Sequence, residues 1–167
     1  ICLKSGSAGG LRDVVVRRNH VRGAGVANGL KLGTATVGPM RDIVFEDIRI
    51  ESAQAAAMAV ESVDGGEVSN VTFRRITASD VGTPVFMLLG ARGKARVGAI
   101  HDIRFEAIRA GRLRYPWGAL VSGAPAGPGT LRLLDLDAAA PLGPRARAYT
   151  GAIEWTGETF RWHAGGR

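Results

Sequence analysis

Cysteine is almost absent from this chain of 167 residues: Cys2 is the only one. A lone cysteine excludes an intrachain disulfide and leaves the redox compartment undecided. Histidine is nearly as scarce. His20, His101 and His163 are too far apart for the short spacings of metal-ligand motifs, so neither a metal nor another cofactor is expected. Aromatic residues make up 6%, and the arginines recur once or twice per rung rather than clustering on a helix or interleaving with stacking rings, which argues against nucleic acid as a partner. No run approaches the roughly 20 apolar residues of a membrane span, and no signal peptide opens the chain, so no membrane partner is expected. The first residue is Ile1 rather than Met, inside what reads as a strand, and the expectation is a piece of a longer protein.

Glycine and positive charge are plentiful. The 24 glycines suit a chain that turns a corner several times per repeat, and a 46% apolar share supplies a core. With 22 Lys+Arg against 15 Asp+Glu the net charge is +7, which favours anionic partners or else spreads over a solvated surface.

The chain repeats itself. Residues 41–50 (Arg-Asp-Ile-Val-Phe-Glu-Asp-Ile-Arg-Ile) have counterparts at 12–17, 69–76, 101–108 and, more weakly, 130–136. Taking the residue before the first aliphatic position as anchor gives 13, 42, 70, 102 and 130, with steps of 29, 28, 32 and 28. A short strand recurring at about 30 residues, with no helical pattern between copies, predicts a parallel β-solenoid. The expected fold is all-β: a right-handed, single-stranded parallel β-helix of about five rungs over residues 1–140, with 141–167 as a cap or irregular tail.

A second strand is expected about 18 residues after each anchor, at 29–33, 57–61, 84–88 and 118–121, with residues 1–4 one rung earlier. Period-two alternation there points Leu3, Leu32, Val60 and Leu88 inward and Cys2, Lys31, Ala59 and Met87 outward. The same register sets Lys4, Lys31 and Glu61 in one outer column. Glycine, Asp and Pro recur between the columns, where the backbone must reverse. The long step of 32 comes from extra residues at 90–98, and insertions of this kind bulge from one face of a solenoid. Asn70-Val71-Thr72 matches a glycosylation sequon, but Asn70 occupies the anchor, which favours a turn-capping or ladder role. Around 149–163, Tyr149, Trp155, Phe160 and Trp162 suit short strands closing the end of the stack, or alternatively an aromatic patch for sugars.

Residues 1–6, 28–34, 63–66 and 83–90, followed by the Ser-Gly-Ala-Pro-Ala-Gly-Pro run at 122–128, resemble in order the bacterial polygalacturonase-like enzymes of glycoside hydrolase family 28. The resemblance covers roughly residues 1–140 and implies a right-handed β-helix that hydrolyses α-linked galacturonic acid or a related pectic sugar. Such inverting chemistry requires two carboxyl groups about 6.5–9.5 Å apart. In the family the acidic pair is an Asp-Asp dipeptide shortly before the strand matched by residues 1–6, so the expectation for this chain alone is weak or absent hydrolysis. The family's Gly-His-Gly aligns with Ala27-Asn28-Gly29 and its Arg-Ile-Lys with Ala59-Val60-Glu61. Asn28 cannot act as an acid or base near neutral pH, and Glu61 would repel a sugar carboxylate.

Glu61 and Asp64 are then the remaining catalytic candidates, and Lys4, Asn28, Lys31, Glu61, Arg92 and Lys94 the candidate substrate-binding residues. The implied partner is an acidic plant polysaccharide such as pectin or polygalacturonate, met by a monomer outside the cell or in the periplasm. Two competing readings are a non-catalytic β-helix that binds glycans or proteins, and a calcium-dependent enzyme like the pectate lyases. The latter needs clustered carboxylates that the sequence does not display.

Overall fold

A computed structural model describes residues 1–115, 119–122, 130–132 and 154–156, the last three segments by backbone pairing alone. The strands are β1 (Cys2–Ser5), β2 (Leu11–Arg17), β3 (His20–Gly25), β4 (Leu30–Thr36), β5 (Met40–Ser62), β6 (Glu67–Leu89), β7 (Ala99–Leu113), β8 (Ala119–Ser122), β9 (Thr130–Arg132) and β10 (Glu154–Thr156). Among the described residues there is no helix, and every strand pairing is parallel. Each repeat stacks on the next in the register expected from the anchors, as in Val14↔Ile43↔Val71↔Ile103. The result is a parallel β-solenoid of about four turns. The weak fifth copy contributes β9, which pairs with β10 in a separate two-stranded sheet. The expected cap at 141–167 and the loop at 122–128 lie largely outside the described residues.

The separate strands expected within each repeat are joined in β5 and β6 into single runs of 23 residues. They bend without breaking because every fifth residue from Asp42 to Ser52 and from Asn70 to Asp80 adopts a left-handed conformation. The bends form three ladders along the stack: Asp13, Asp42, Asn70 and Asp102; Arg18, Asp47, Arg75 and Ala107; and Gly23, Ser52, Asp80 and Arg112, all with φ between 49° and 59°. Asp and Asn suit this conformation because a short polar side chain can hydrogen-bond locally, whereas Cβ crowding penalises most residues. The anchor column is therefore a column of bends. Asn70 bridges two of them by donating Nδ2 to Asp42 Oδ1 at 2.7 Å.

Between bends the pleat alternates, and inward side chains meet their equivalents one rung away. Phe45, Phe73 and Phe105 are fully buried and stacked, with ring centroids 4.9 and 5.0 Å apart and planes within 6° of parallel. That spacing is the rung separation itself, so identical residues one repeat apart are obliged to stack. Ile48, Ile76 and Ile108 form a parallel ladder around the next bend. Burying each such side chain contributes roughly 1.5–3 kcal/mol. The corner before each anchor strand is so tight that a Cβ on Gly66 would sit 2.2 Å from the Thr36 carbonyl oxygen.

One expected orientation is reversed. Met87 is fully buried opposite Val60, while Leu88 is half-buried and lies opposite Glu61. The offset between rungs is 28 residues up to Ala53↔Val81 and 27 from Ala56↔Thr83 onward, because β5 carries one extra residue in a bulge. A bulge moves every later residue of that strand by one place, which exchanges inside for outside. Ala59 keeps its place beside Lys31 but is fully buried.

Candidate functional site

β4, the end of β5 and the turn after it hold Lys31, Glu61 and Asp64, and Arg92 reaches Asp64 from the next rung. Lys31 does not share a column with Lys4 and Glu61. Its neighbours across the rungs are Cys2 and Ala59, whereas Glu61 faces Leu88 and Lys4 lies opposite the irregular stretch between Leu32 and Thr36. Lys31 nevertheless reaches Glu61 diagonally, with Nζ 2.8 Å from Oε1. The Thr34 hydroxyl donates to Glu61 Oε2 at 3.2 Å. Glu61 is 6% exposed, so both its oxygens are engaged within a nearly closed site. A carboxylate is tolerated there because a cation and a hydroxyl replace the lost water.

Asp64 is held as firmly. Arg92 donates Nε to Oδ1 at 2.9 Å and Nη2 to Oδ2 at 2.7 Å, a bidentate pair, and the Thr36 backbone N–H donates to Oδ2 at 3.2 Å. The Arg92 hydrogen bonds hold the Asp64 carboxyl below the usual carboxylate range; partial burial opposes this, and the Thr36 N–H reinforces it. The inserted residues 90–98 are thereby tied to the preceding rung, and Arg92 N–H also donates to the Val63 carbonyl at 2.7 Å. The insertion is a fastened turn rather than a free bulge. Lys94 at its tip and Lys4 are exposed and have no ion pair among the described residues.

Asn28 stands at the entrance to β4. Its Oδ1 is shielded from solvent and accepts no hydrogen bond among the described residues.

A second polar cluster was not legible as one in the sequence. Glu67 Oε1 accepts the Ser69 hydroxyl at 2.8 Å and lies 3.4 Å from His101 Nε2, while His101 Nδ1 lies 2.8 Å from Asp102 Oδ2. The imidazole thus bridges two carboxylates on adjacent rungs. The available signal was positional, since Ser69 and His101 each precede an anchor by one residue and are direct neighbours across the rungs. Ser69 bonds to the glutamate rather than to the histidine, so the arrangement is not that of an activated nucleophile.

One column of charges alternates in sign. Arg17, Glu46, Arg74 and Glu106 succeed one another across four rungs. Arg74 Nε donates to Glu46 Oε2 at 2.7 Å, and Arg75 donates Nε and Nη2 to the two oxygens of Asp47 at 2.6 and 2.9 Å. The Arg74 and Arg75 hydrogen bonds hold Glu46 and Asp47, respectively, below the ordinary carboxylate range. At Glu51 burial pushes upward, but the His20 hydrogen bond and the charges of Arg49, His20 and Arg22 outweigh it. Among the described residues no group of three or more His, Cys, Asp or Glu is arranged to hold a metal ion. No family model, no curated protein and no solved structure matches this chain.

Proposed function

We propose that this chain is part of a parallel β-helix glycoside hydrolase acting on pectic polysaccharide, and that it forms a saccharide-binding wall with little or no hydrolytic activity of its own. The observation that carries the binding role is the state of Glu61 and Asp64. Inverting hydrolysis needs one carboxyl able to hold a proton and one free to activate water. Asp64 is kept ionised by Arg92, and both oxygens of Glu61 are occupied by Lys31 and Thr34. The glycosidase parentage rests on the ordered resemblance of residues 1–140 to family 28, and the parallel β-helix is compatible with it. Lys4 and Lys94 remain available to a sugar carboxylate through charge-assisted hydrogen bonds.

The same observation favours a second reading, in which the whole protein is a non-catalytic glycan- or protein-binding β-helix. Calorimetric titration with polygalacturonate, run beside a reducing-sugar assay, tests both. Binding without turnover is expected, weakened severalfold by combining Lys4→Met with Lys94→Met. Turnover that disappears in Glu61→Gln or Asp64→Asn would overturn the binding-wall role. Unsaturated products appearing on addition of calcium would instead favour a lyase.

A further inference from the structure

A small cavity of about 90 Å³ opens at the corner leading into the first two anchor strands, lined by Gly9, Leu11, Arg12, Pro39 and Arg41. Arg12 and Arg41 are direct neighbours across the rungs. Parallel strands pair at about 4.8 Å, so two guanidinium-bearing residues follow one another here, whereas several cations elsewhere on the stack meet a carboxylate. Arg17 is followed by Glu46 and Arg18 by Asp47, while Lys31 is paired with Glu61 and Arg92 with Asp64.

The nearby carboxylates leave this pair largely uncompensated. Asp13 is 3.9 Å from Arg12 Nε, a loose contact between two exposed side chains. Asp42 commits Oδ1 to Asn70, and Glu67 is engaged by Ser69 and His101. Arg41 is exposed and has no ion pair among the described residues. The cavity wall is fixed: the Gly10 N–H donates to the Ser7 carbonyl at 3.1 Å, and the Leu11 N–H to the Pro39 carbonyl at 2.7 Å.

We infer that the Arg12–Arg41 corner is a binding site for a single oxyanion, of the size and chemistry of a sugar carboxylate. A pocket of this volume, open to solvent on one side, has room for a carboxylate- or sulfate-sized group between the two guanidinium groups. Guanidinium forks match such an anion bidentately, and an anion between them relieves the repulsion of like charges held one rung apart. The site lies on the anchor-strand face, separate from the Lys31–Glu61 pair. That its natural anion is a uronate carboxylate rests on the pectic reading above; that it binds an oxyanion does not.

The test uses the full chain and three probes: inorganic sulfate, monomeric galacturonate and neutral galactose. Titrations are followed by the arginine Nε–Hε signals in nuclear magnetic resonance and by calorimetry. Sulfate and galacturonate are expected to saturate and to shift the Arg12 and Arg41 signals, while galactose does neither. The double substitution Arg12→Met with Arg41→Met should weaken both anions at least tenfold, and Arg109→Met should leave them unchanged. Should the double variant fail to fold, the signal shifts in the wild-type chain decide alone. Absence of saturation, shifts spread over all arginines, or an equal loss in Arg109→Met would overturn the site. Sulfate binding here without any polygalacturonate binding would retain the site and defeat the pectic reading. Polygalacturonate binding untouched by the double variant, with no shift at either arginine, would do the reverse.

Discussion

Arg75 grips both carboxylate oxygens of Asp47 from one rung away, at 2.6 and 2.9 Å, and both residues stand at left-handed bends of the same ladder. A corner that would be conformationally costly for an arginine is thus also the point where two rungs are clamped. The contact raises the Arg75 pKa and lowers that of Asp47. With Arg74 on Glu46 beside it, the pair fixes the register between β5 and β6.

These pairs make the fold sensitive to acid. Glu46, Asp47, Asp64 and Asp80 all have carboxyl pKa values lowered in the folded state, chiefly by hydrogen bonds from Arg74, Arg75, Arg92 and Arg114 in that order. A depressed folded-state pKa gives stability that is fully present above the unfolded value and is lost as pH falls through the folded one. The urea midpoint should therefore be level from about pH 7 to pH 5 and fall progressively below about pH 4.5. Arg75→Met should flatten that fall. An unchanged acid profile in the variant would show that the Asp47 clamp contributes nothing.

Lys31 and Glu61 form a structural pair in which one partner cannot be removed alone. Lys31→Met leaves the nearly buried Glu61 carboxylate without its cation and should cost roughly 3 kcal/mol. Adding Glu61→Leu to that variant should restore most of the loss, measured by urea unfolding. If Lys31→Met proved neutral, the pair would not be holding this edge.

The middle of the phenylalanine stack is the most exacting core position. Phe73 has a ring on each side, at 4.9 and 5.0 Å, and Phe73→Ala should destabilise by about 3–5 kcal/mol through the cavity it opens. Phe73→Leu should cost markedly less, as the smaller change in volume requires. Chemical denaturation of both variants checks the order.

Ala107 occupies a bend at φ 52° with no polar side chain to offset the crowding of its Cβ. Ala107→Gly should stabilise the chain by about 0.5–1 kcal/mol, less any loss from the greater freedom of glycine when unfolded. Asp42→Val, which puts a β-branched residue at φ 58° and removes the Asn70 contact, should destabilise by about 2 kcal/mol. Thermal unfolding of the two variants should shift in opposite directions.

At the corner glycines a methyl group has no room. Gly66→Ala would set a Cβ 2.2 Å from the Thr36 carbonyl oxygen, and Gly98→Ala one 2.0 Å from the Gly66 carbonyl oxygen. Each should cost about 1–3 kcal/mol by forcing the backbone apart. Gly111→Ala, which would meet nothing within 4 Å, serves as the control in the same unfolding experiment.

The sequence alone determined the solenoid and the register of its anchor strands. A 28- to 32-residue step between Asp13, Asp42, Asn70 and Asp102 is a statement about stacking, and alternation in Ile48-Arg49-Ile50-Glu51 is a statement about facing. Both are local and repeat four times. Only the tertiary structure decided that Met87 and not Leu88 enters the core, because Val85 to Leu89 are all apolar and a one-residue bulge in β5 leaves no mark in such a run. It alone also decided what the charged residues do. Lys31 meets Glu61 diagonally, Arg92 closes on Asp64, and Arg12 faces Arg41 across a cavity. Those relations depend on side-chain reach between rungs, which no spacing along one strand encodes.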